Sequence, residues 1–197
     1  MCRALFFACR WNFVTISYAQ PQLIPDFSGY VQLVKKFANS WKTIAAPNRA
    51  RFFSENGRAL VGQAGLLVSQ VIGIKRESQK SFLIIDAAMT ELIRPALYQA
   101  RHEIFSIPAF KESASEFCRY SVVGPVCESA DSFGDDYLLP KALEAGSLVG
   151  IDTAGAYAAV MASFYNGRDL AAEFWLHQNG QFEQSRPALS FLRTRLG

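Results

Sequence analysis

Apolar positions along the chain follow two regimes, one before Arg58 and one after it. From Asp26 onward Tyr30, Leu33, Val34, Phe37 and Trp41 recur at three- and four-residue spacing, with Gln32, Lys35, Lys36 and Asn39 between them, which predicts an amphipathic helix. Phe13 to Tyr18 before it and Arg51 to Ser54 after it read as strands, and Pro21, Pro25 and Pro47 mark the connections. Residues 1–12 show no clear period. Beyond Arg58 the runs are rich in β-branched and long apolar residues. Leu66 to Ile72 and Ser81 to Asp86 flank a charged turn at Lys75–Lys80 and predict a pair of antiparallel strands. Further strands are predicted at 118–123, 147–152 and 172–177, the last paired with 181–185 across Asn179-Gly180. Short helices are predicted over Thr90 to Tyr98, Ala156 to Phe164, and Pro187 to Leu196 with proline in the first turn. The expected fold is mainly β with an α/β N-terminal piece, divided into residues 1–56 and 57–197.

Composition narrows the function classes. At 197 residues and half apolar, the chain can bury a substantial core. Its net charge of +3 is scattered, without the basic runs or aromatic-basic interleaving of a nucleic-acid binder. Four cysteines without a Cys-x-x-Cys pair and two distant histidines predict neither a zinc site nor a disulfide framework. Arg3, the run Ala4 to Cys9 and Ser17-Tyr18-Ala19 loosely imitate a signal peptide, but Arg10, Trp11 and Asn12 break the run. No apolar stretch reaches the roughly 18 residues needed to cross a bilayer. A cytoplasmic protein without membrane or nucleic-acid partners is expected.

Five clusters carry candidate chemistry. In Gly124-Pro125-Val126-Cys127-Glu128-Ser129-Ala130-Asp131 a thiol and a carboxylate follow an apolar strand and a Gly-Pro turn, where loops carry function. Taken alone, the same residues describe a small buried cysteine beside a solvated glutamate. Glu55-Asn56-Gly57-Arg58 places a carboxylate and a guanidinium at a strand end, either as a site or as a surface turn with a weak ion pair. Arg94 and Tyr98, four apart, share one face of a helix and could grip a carboxylate, or form an exposed arginine above a half-buried tyrosine. The small residues Ala154-Gly155-Ala156 before Tyr157 could present its hydroxyl to a phosphate, or pack a helix tightly on the sheet. His102 reads as a hydrogen-bonded structural histidine.

Taken in order, these clusters resemble the diaminopimelate branch of the pyridoxal-phosphate-dependent ornithine/diaminopimelate/arginine decarboxylase family. The resemblance rests on Gly57-Arg58-Ala59-Leu60-Val61, Asp86-Ala87-Ala88-Met89, Leu92-Ile93-Arg94-Pro95-Ala96-Leu97-Tyr98 and His102-Glu103-Ile104. It continues through Val122-Val123-Gly124-Pro125-Val126-Cys127-Glu128-Ser129-x-Asp131, Gly155-Ala156-Tyr157 and Tyr165-Asn166-x-Arg168. It implies a C-terminal β-sandwich or barrel-like domain preceded by the last strand-helix-strand of a (β/α)8 barrel, and active sites formed at a dimer interface. It also implies pyridoxal 5'-phosphate as cofactor and meso-diaminopimelate as substrate. Glu55 would lie against the pyridine nitrogen, and Arg58 and Tyr157 would bind the phosphate end. Arg94 and Tyr98 would hold the carboxylate that is retained. Glu128 would take the distal ammonium, and Cys127 would protonate the carbanion in the opposite subunit's site. A thiol suits that step because thiols hold their proton at neutral pH yet release it readily.

Two departures qualify what the resemblance implies. Asn56 stands where the family's Glu-Pro-Gly-Arg motif has proline. The Schiff-base lysine, the cofactor-stacking histidine and the Gly-Gly-Gly phosphate loop of the family have no counterpart. None of Lys35, Lys36, Lys42, Lys75, Lys80, Lys111 and Lys141 lies in a matching context, and Cys9-Arg10-Trp11-Asn12-Phe13 occupies the loop's place. The expectation is a decarboxylase fragment, inactive alone, that acts with a complementing N-terminal barrel piece or within a homodimer. The alternatives are a non-catalytic dimerisation or regulatory module that binds a full-length homologue, and a truncated gene product.

Overall fold

The structure is a computed structural model that describes residues 5–9, 28–44, 57–78, 80–108 and 116–196. Nine strands within these residues form one sheet in the order β6-β5-β3-β2-β1-β8-β9, with β7 pairing to both β2 and β4. The long strand β2 (Gly65–Arg76) organises it. Its first half lies between β1 (Leu5–Cys9) and β7 (Leu148–Ile151), through Leu67↔Phe6 and Leu67↔Ile151. Its second half leaves both and pairs antiparallel with β3 (Ser81–Ile85). The register shift between Val71 and Gly73 marks the change of partner. A bulge of this kind lets one strand serve two sheet surfaces and curl the whole around a core.

On one side β3 runs parallel to β5 (Phe117–Val123), and β5 antiparallel to β6 (Ser132–Pro140). On the other, β1 connects β2 to the hairpin of β8 (Ala172–Leu176) and β9 (Phe182–Arg186), while β4 (Ile104–Ile107) pairs with β7. Inward-facing Leu67, Leu83, Ile85, Val122, Val149 and Ile151 are all completely buried. Alternation along the end of β3 and part of β6 turns neighbouring side chains away from the core, whereas in β5 Tyr120, Ser121 and Val122 are buried in succession.

The helices are minor. α1 (Ser28–Ile44) lies where the spacing predicts it, with Gln32, Lys35, Lys36 and Asn39 exposed. Leu33, assigned to its apolar face, is exposed as well. The strands predicted at 13–18 and 51–54 fall outside the described residues. α2 (Arg58–Val61) leads into β2 through one 3-10 turn. The helix predicted from Thr90 is only the single turn α3 (Arg94–Tyr98), since Thr90 and Glu91 spend their side chains on loop hydrogen bonds. The helix predicted from Ala156 is replaced by turns with one 3-10 piece at Ala159–Met161. The closing helix α4 (Phe191–Leu196) begins four residues beyond Pro187, which lies in an extended connection.

His102 connects the core to its surroundings. It is almost completely buried, and its Nδ1–H donates to the Asp152 carbonyl at 2.9 Å, as expected for a structural histidine. Burial lowers its pKa to about 4, against the opposing Asp152 bond, and the charges of Arg94 and Arg58 push the same way as burial. Unfolding restores an ordinary histidine. Between pH 6.5 and 4 the unfolded chain therefore binds a proton that the folded chain refuses, and stability falls with pH across that window. The expected loss is on the order of 3 kcal/mol by pH 4, absent in His102→Asn. Denaturant unfolding at stepped pH measures the loss, and a ring proton that shifts near pH 6.5 in the folded protein would contradict it.

Candidate active site

The loop after β3 holds the site together. Asp86 Oδ1 accepts from the Ser69 hydroxyl (2.6 Å) and the Gln70 N–H (2.8 Å), and Ser69 Oγ accepts from the Ala87 N–H (2.8 Å). Asp86 is thereby consumed in fixing the loop to β2. Glu91, completely buried, turns back so that Oε2 accepts from the Ala88 N–H (2.9 Å) and the Thr90 hydroxyl (2.8 Å). Arg168 arrives from a distant turn and donates to Thr90 Oγ1 (3.1 Å) and the Asp86 carbonyl (2.5 Å), with its guanidinium 3.6 Å from Glu91 Oε2. Burial pushes the Glu91 carboxyl up, and Arg168 pulls it down.

This loop runs directly into α3, where the proline after Arg94 suits the first helical turn. Arg94 is buried, its guanidinium carbon 5.2 Å from the Tyr98 ring centre and 5.5 Å from that of Tyr157. With Met161 these three residues line a cavity of about 180 Å³. A guanidinium between two half-exposed phenols, in a space of that size, suits a small carboxylate group. Tyr157 sits in the left-handed region at φ 63°, which an aromatic residue adopts only where its surroundings impose it. The imposing contacts are the Ala154 N–H to the Gly65 carbonyl (2.8 Å) and the Gly155 N–H to the Gly62 carbonyl (2.9 Å). They bring the Tyr157 hydroxyl so close to Gly57 that a side chain there would approach it to 3.2 Å. Arg58 follows immediately, and its charge and that of Arg94 both act on His102. Arg94 with Tyr98 and Tyr157, and Arg58 beside Gly57, thus form one electropositive corner, and its two arginines act on a neutral imidazole.

Cys127 and Glu128 occupy the loop between β5 and β6. Cys127 carries a free, exposed thiol. Glu128 Oε1 accepts from the Ala130 N–H (3.2 Å) and the Ser129 hydroxyl (3.1 Å), and Oε2 from the Tyr165 hydroxyl (3.3 Å). These donors, the Ala130 amide first, hold its carboxyl below the usual range, so it is fully ionised at neutral pH.

The sequence-derived candidates therefore fall in two groups: Arg58, Arg94, Tyr98 and Tyr157 in one corner, Cys127 and Glu128 on a separate loop. The cavity at Arg94 is lined by neither Cys127 nor Glu128. Glu55 lies outside the described residues. A larger cleft of about 460 Å³ lies at the opposite end of the strands, among Lys80, Arg119, Asp135 and Asp136. It contains none of the candidates, and Lys80 is paired there with Asp135 at 2.9 Å. Sequence reasoning gave no role to Thr90, Glu91, Tyr165 or Arg168. The run Tyr165-Asn166-x-Arg168 was the available signal, but its partners lie 37 to 82 residues away.

The curled sheet thus carries an exposed thiol beside a carboxylate on one loop and an arginine between two tyrosines at another. The model of the pyridoxal-dependent decarboxylase C-terminal sheet domain matches residues 9–155, and the chain belongs to that family. Among characterised relatives it is similar to the diaminopimelate decarboxylase of Bacteroides thetaiotaomicron, with 43% identity over 157 residues, 79% of this chain and 38% of that protein. The diaminopimelate decarboxylase of Neisseria meningitidis serogroup B is 40% identical over 160 residues, 81% of this chain and 36% of that protein. The crystal structure of diaminopimelate decarboxylase from Helicobacter pylori complexed with L-lysine superposes with a TM-score of 0.75 at 33% identity, over 93% of this chain and 42% of that one. The chain thus spans well under half the length of these relatives. No helix among the described residues is long and apolar enough to cross a membrane.

Proposed function

We propose that this chain supplies the C-terminal half of a diaminopimelate decarboxylase site, converting meso-2,6-diaminopimelate to L-lysine and carbon dioxide in the cytoplasm. The observation that carries this reading is the pairing of the Arg94 corner with the Cys127-Glu128 loop on one hydrogen-bonded frame. Arg94 and Tyr98 bind the carboxylate that is retained. The ionised Glu128, an acceptor only, takes the distal ammonium. Cys127 gives its proton to the carbon that loses carbon dioxide.

The chemistry of the corner fits pyridoxal phosphate at one end. Arg58, the Tyr157 hydroxyl and the bare Gly57 backbone suit a phosphate dianion, and Glu55 would meet the pyridine nitrogen. When bound, this cofactor supplies the electron sink for the charge left by carbon dioxide. None of the seven lysines stands in the family's anchoring context, so the anchoring lysine is assigned to a complementing barrel. The separation of Cys127 and Glu128 from the Arg94 cavity supports a site shared between two copies, each copy presenting its thiol to the other.

Mixed dimers test the reading. A full-length diaminopimelate decarboxylase whose own Cys-Glu pair has been replaced is incubated with this chain, and lysine formation is followed. Wild-type chain is expected to restore activity, with Cys127→Ala about 10² to 10³ lower. Association without lysine formation would instead establish the non-catalytic module, and no association at micromolar concentration would sink both readings.

A further inference from the structure

Asp131 lies at the end of the Cys127 loop and is buried, although the proposed chemistry gives it nothing to do. Its two oxygens are used separately. Oδ2 accepts from the Val126 N–H at 2.8 Å, the amide immediately before Cys127. Oδ1 accepts from the Met89 N–H at 2.7 Å, in the loop that leads to Arg94. The main chain closes the same loop, with the Gly124 N–H on the Asp131 carbonyl (3.1 Å) and the Asp131 N–H on the Glu128 carbonyl (3.0 Å). Gly124 is bare where the carboxylate rests on it, since a Cβ there would lie 2.6 Å from the Asp131 carboxyl carbon.

We propose that Asp131 is a positioning residue that fixes the Cys127 thiol and Glu128 relative to the Arg94 corner. The inference deepens the decarboxylase reading and rests on it for its purpose, though its geometry stands alone. The free thiol is located by backbone on either side, and Asp131 holds that backbone at Val126. The other end of the clasp is itself rigid. Met89 sits between Asp86, fixed to β2, and the Thr90-Glu91-Arg168 network. One carboxylate therefore joins the proton-donating loop to the loop that sets Arg94. Only a carboxylate does this, because both partners are N–H donors and each oxygen is needed as an acceptor. An asparagine of the same shape would set its amide NH2 against one of them.

The charged groups that act on Asp131 are Arg168, which favours its ionised form, and Glu128, which opposes it, while burial raises its pKa overall. Asp131 in turn acts on Glu91. The test reads cysteine alkylation by iodoacetamide across pH in the full chain, each cysteine followed separately by peptide mass spectrometry. Asp131→Asn, folded by circular dichroism, is expected to change the Cys127 rate about threefold or more, with Cys118 unchanged. An unchanged Cys127, or an equal change at Cys118 that marks general loosening, would overturn the proposal. Should the variant not fold, amide shifts of the wild type decide. Met89 and Val126 share one carboxylate and must titrate with a single common midpoint, and two different midpoints overturn the clasp. Neither readout needs cofactor or substrate, so failure of the mixed-dimer assay leaves this result standing, and the reverse holds equally.

Discussion

Arg168→Ala is expected to lower the unfolding free energy by about 3–5 kcal/mol at neutral pH, the cost of leaving a buried charge without its partner. The guanidinium stands 3.6 Å from Glu91 Oε2, and the Glu91 side chain has no exposed surface. The variant also strips a donor from Thr90 Oγ1 and from the Asp86 carbonyl. Burial already raises the Glu91 carboxyl, and loss of Arg168 raises it further. A carboxyl raised in the folded state contributes stability at pH below its unfolded value and loses it as pH rises through the folded one. The gap between variant and wild type is therefore widest at neutral pH and narrows on acidification. Glu91→Gln in the Arg168→Ala background removes the charge and is expected to recover most of the loss. A double-mutant cycle by denaturant unfolding measures the coupling. A gap that is constant with pH and untouched by Glu91→Gln would place the loss in the Thr90 and Asp86 contacts instead.

The Glu91-Arg168 network also shows where sequence reading stops. Cys127 and Glu128 were legible because an apolar strand followed by Gly-Pro announces a loop at a sheet end, and β5 ends there. The β2–β3 and β8–β9 hairpins were legible for the same kind of reason: period, β-branching and a polar turn. The segment from Thr90 has helical spacing, yet it is fixed as a loop by Asp131 and Arg168, 42 and 78 residues away. No local pattern encodes those partners. The residue-by-residue likeness to the family singled out Arg58, Arg94, Tyr98 and Tyr157, and the structure sets Tyr98 and Tyr157 against Arg94, with Arg58 and Arg94 both acting on His102.

Three strands were missed, each with its own physical cause. β6 carries Gly134-Asp135-Asp136 in its middle, where Gly134 and Asp136 have positive φ and the pairing to β5 shifts register, so alternation is interrupted. β4 is only four residues long and shows Phe105 to solvent. β1 lies in the stretch without period, and its strand character comes from long-range pairing with β2 and β8.

The crossing of two glycines beneath Tyr157 carries the second large prediction. A Cβ on Gly155 would overlap the Val61 carbonyl oxygen and lie 2.7 Å from the Gly65 nitrogen and 3.0 Å from the Gly62 oxygen. All three are backbone atoms, so no rotamer change relieves the contact. The same approach seen from the other strand leaves no room for a side chain on Gly65, whose Cβ would lie 2.9 Å from the Ala154 carbonyl carbon. Gly155→Ala must therefore lift the 153–157 turn away from β2, breaking the Ala154–Gly65 and Gly155–Gly62 hydrogen bonds. Overpacking and two lost buried bonds together are expected to cost about 3 kcal/mol or more. Gly29→Ala is the matched control. It lies within α1 with nothing within 4 Å of its added methyl, and is expected to stabilise by about 0.5–1 kcal/mol. The functional consequence reaches beyond stability, because the turn that Gly155 seats is what holds Tyr157 in its left-handed conformation against Gly57 and Arg94. At a temperature where it remains folded, Gly155→Ala is expected to lose the binding of inorganic phosphate at the Tyr157 corner of this chain while the Cys127 alkylation rate stays at its wild-type value. Equal effects on both would mean that the glycine crossing supports the whole sheet rather than the Tyr157 corner.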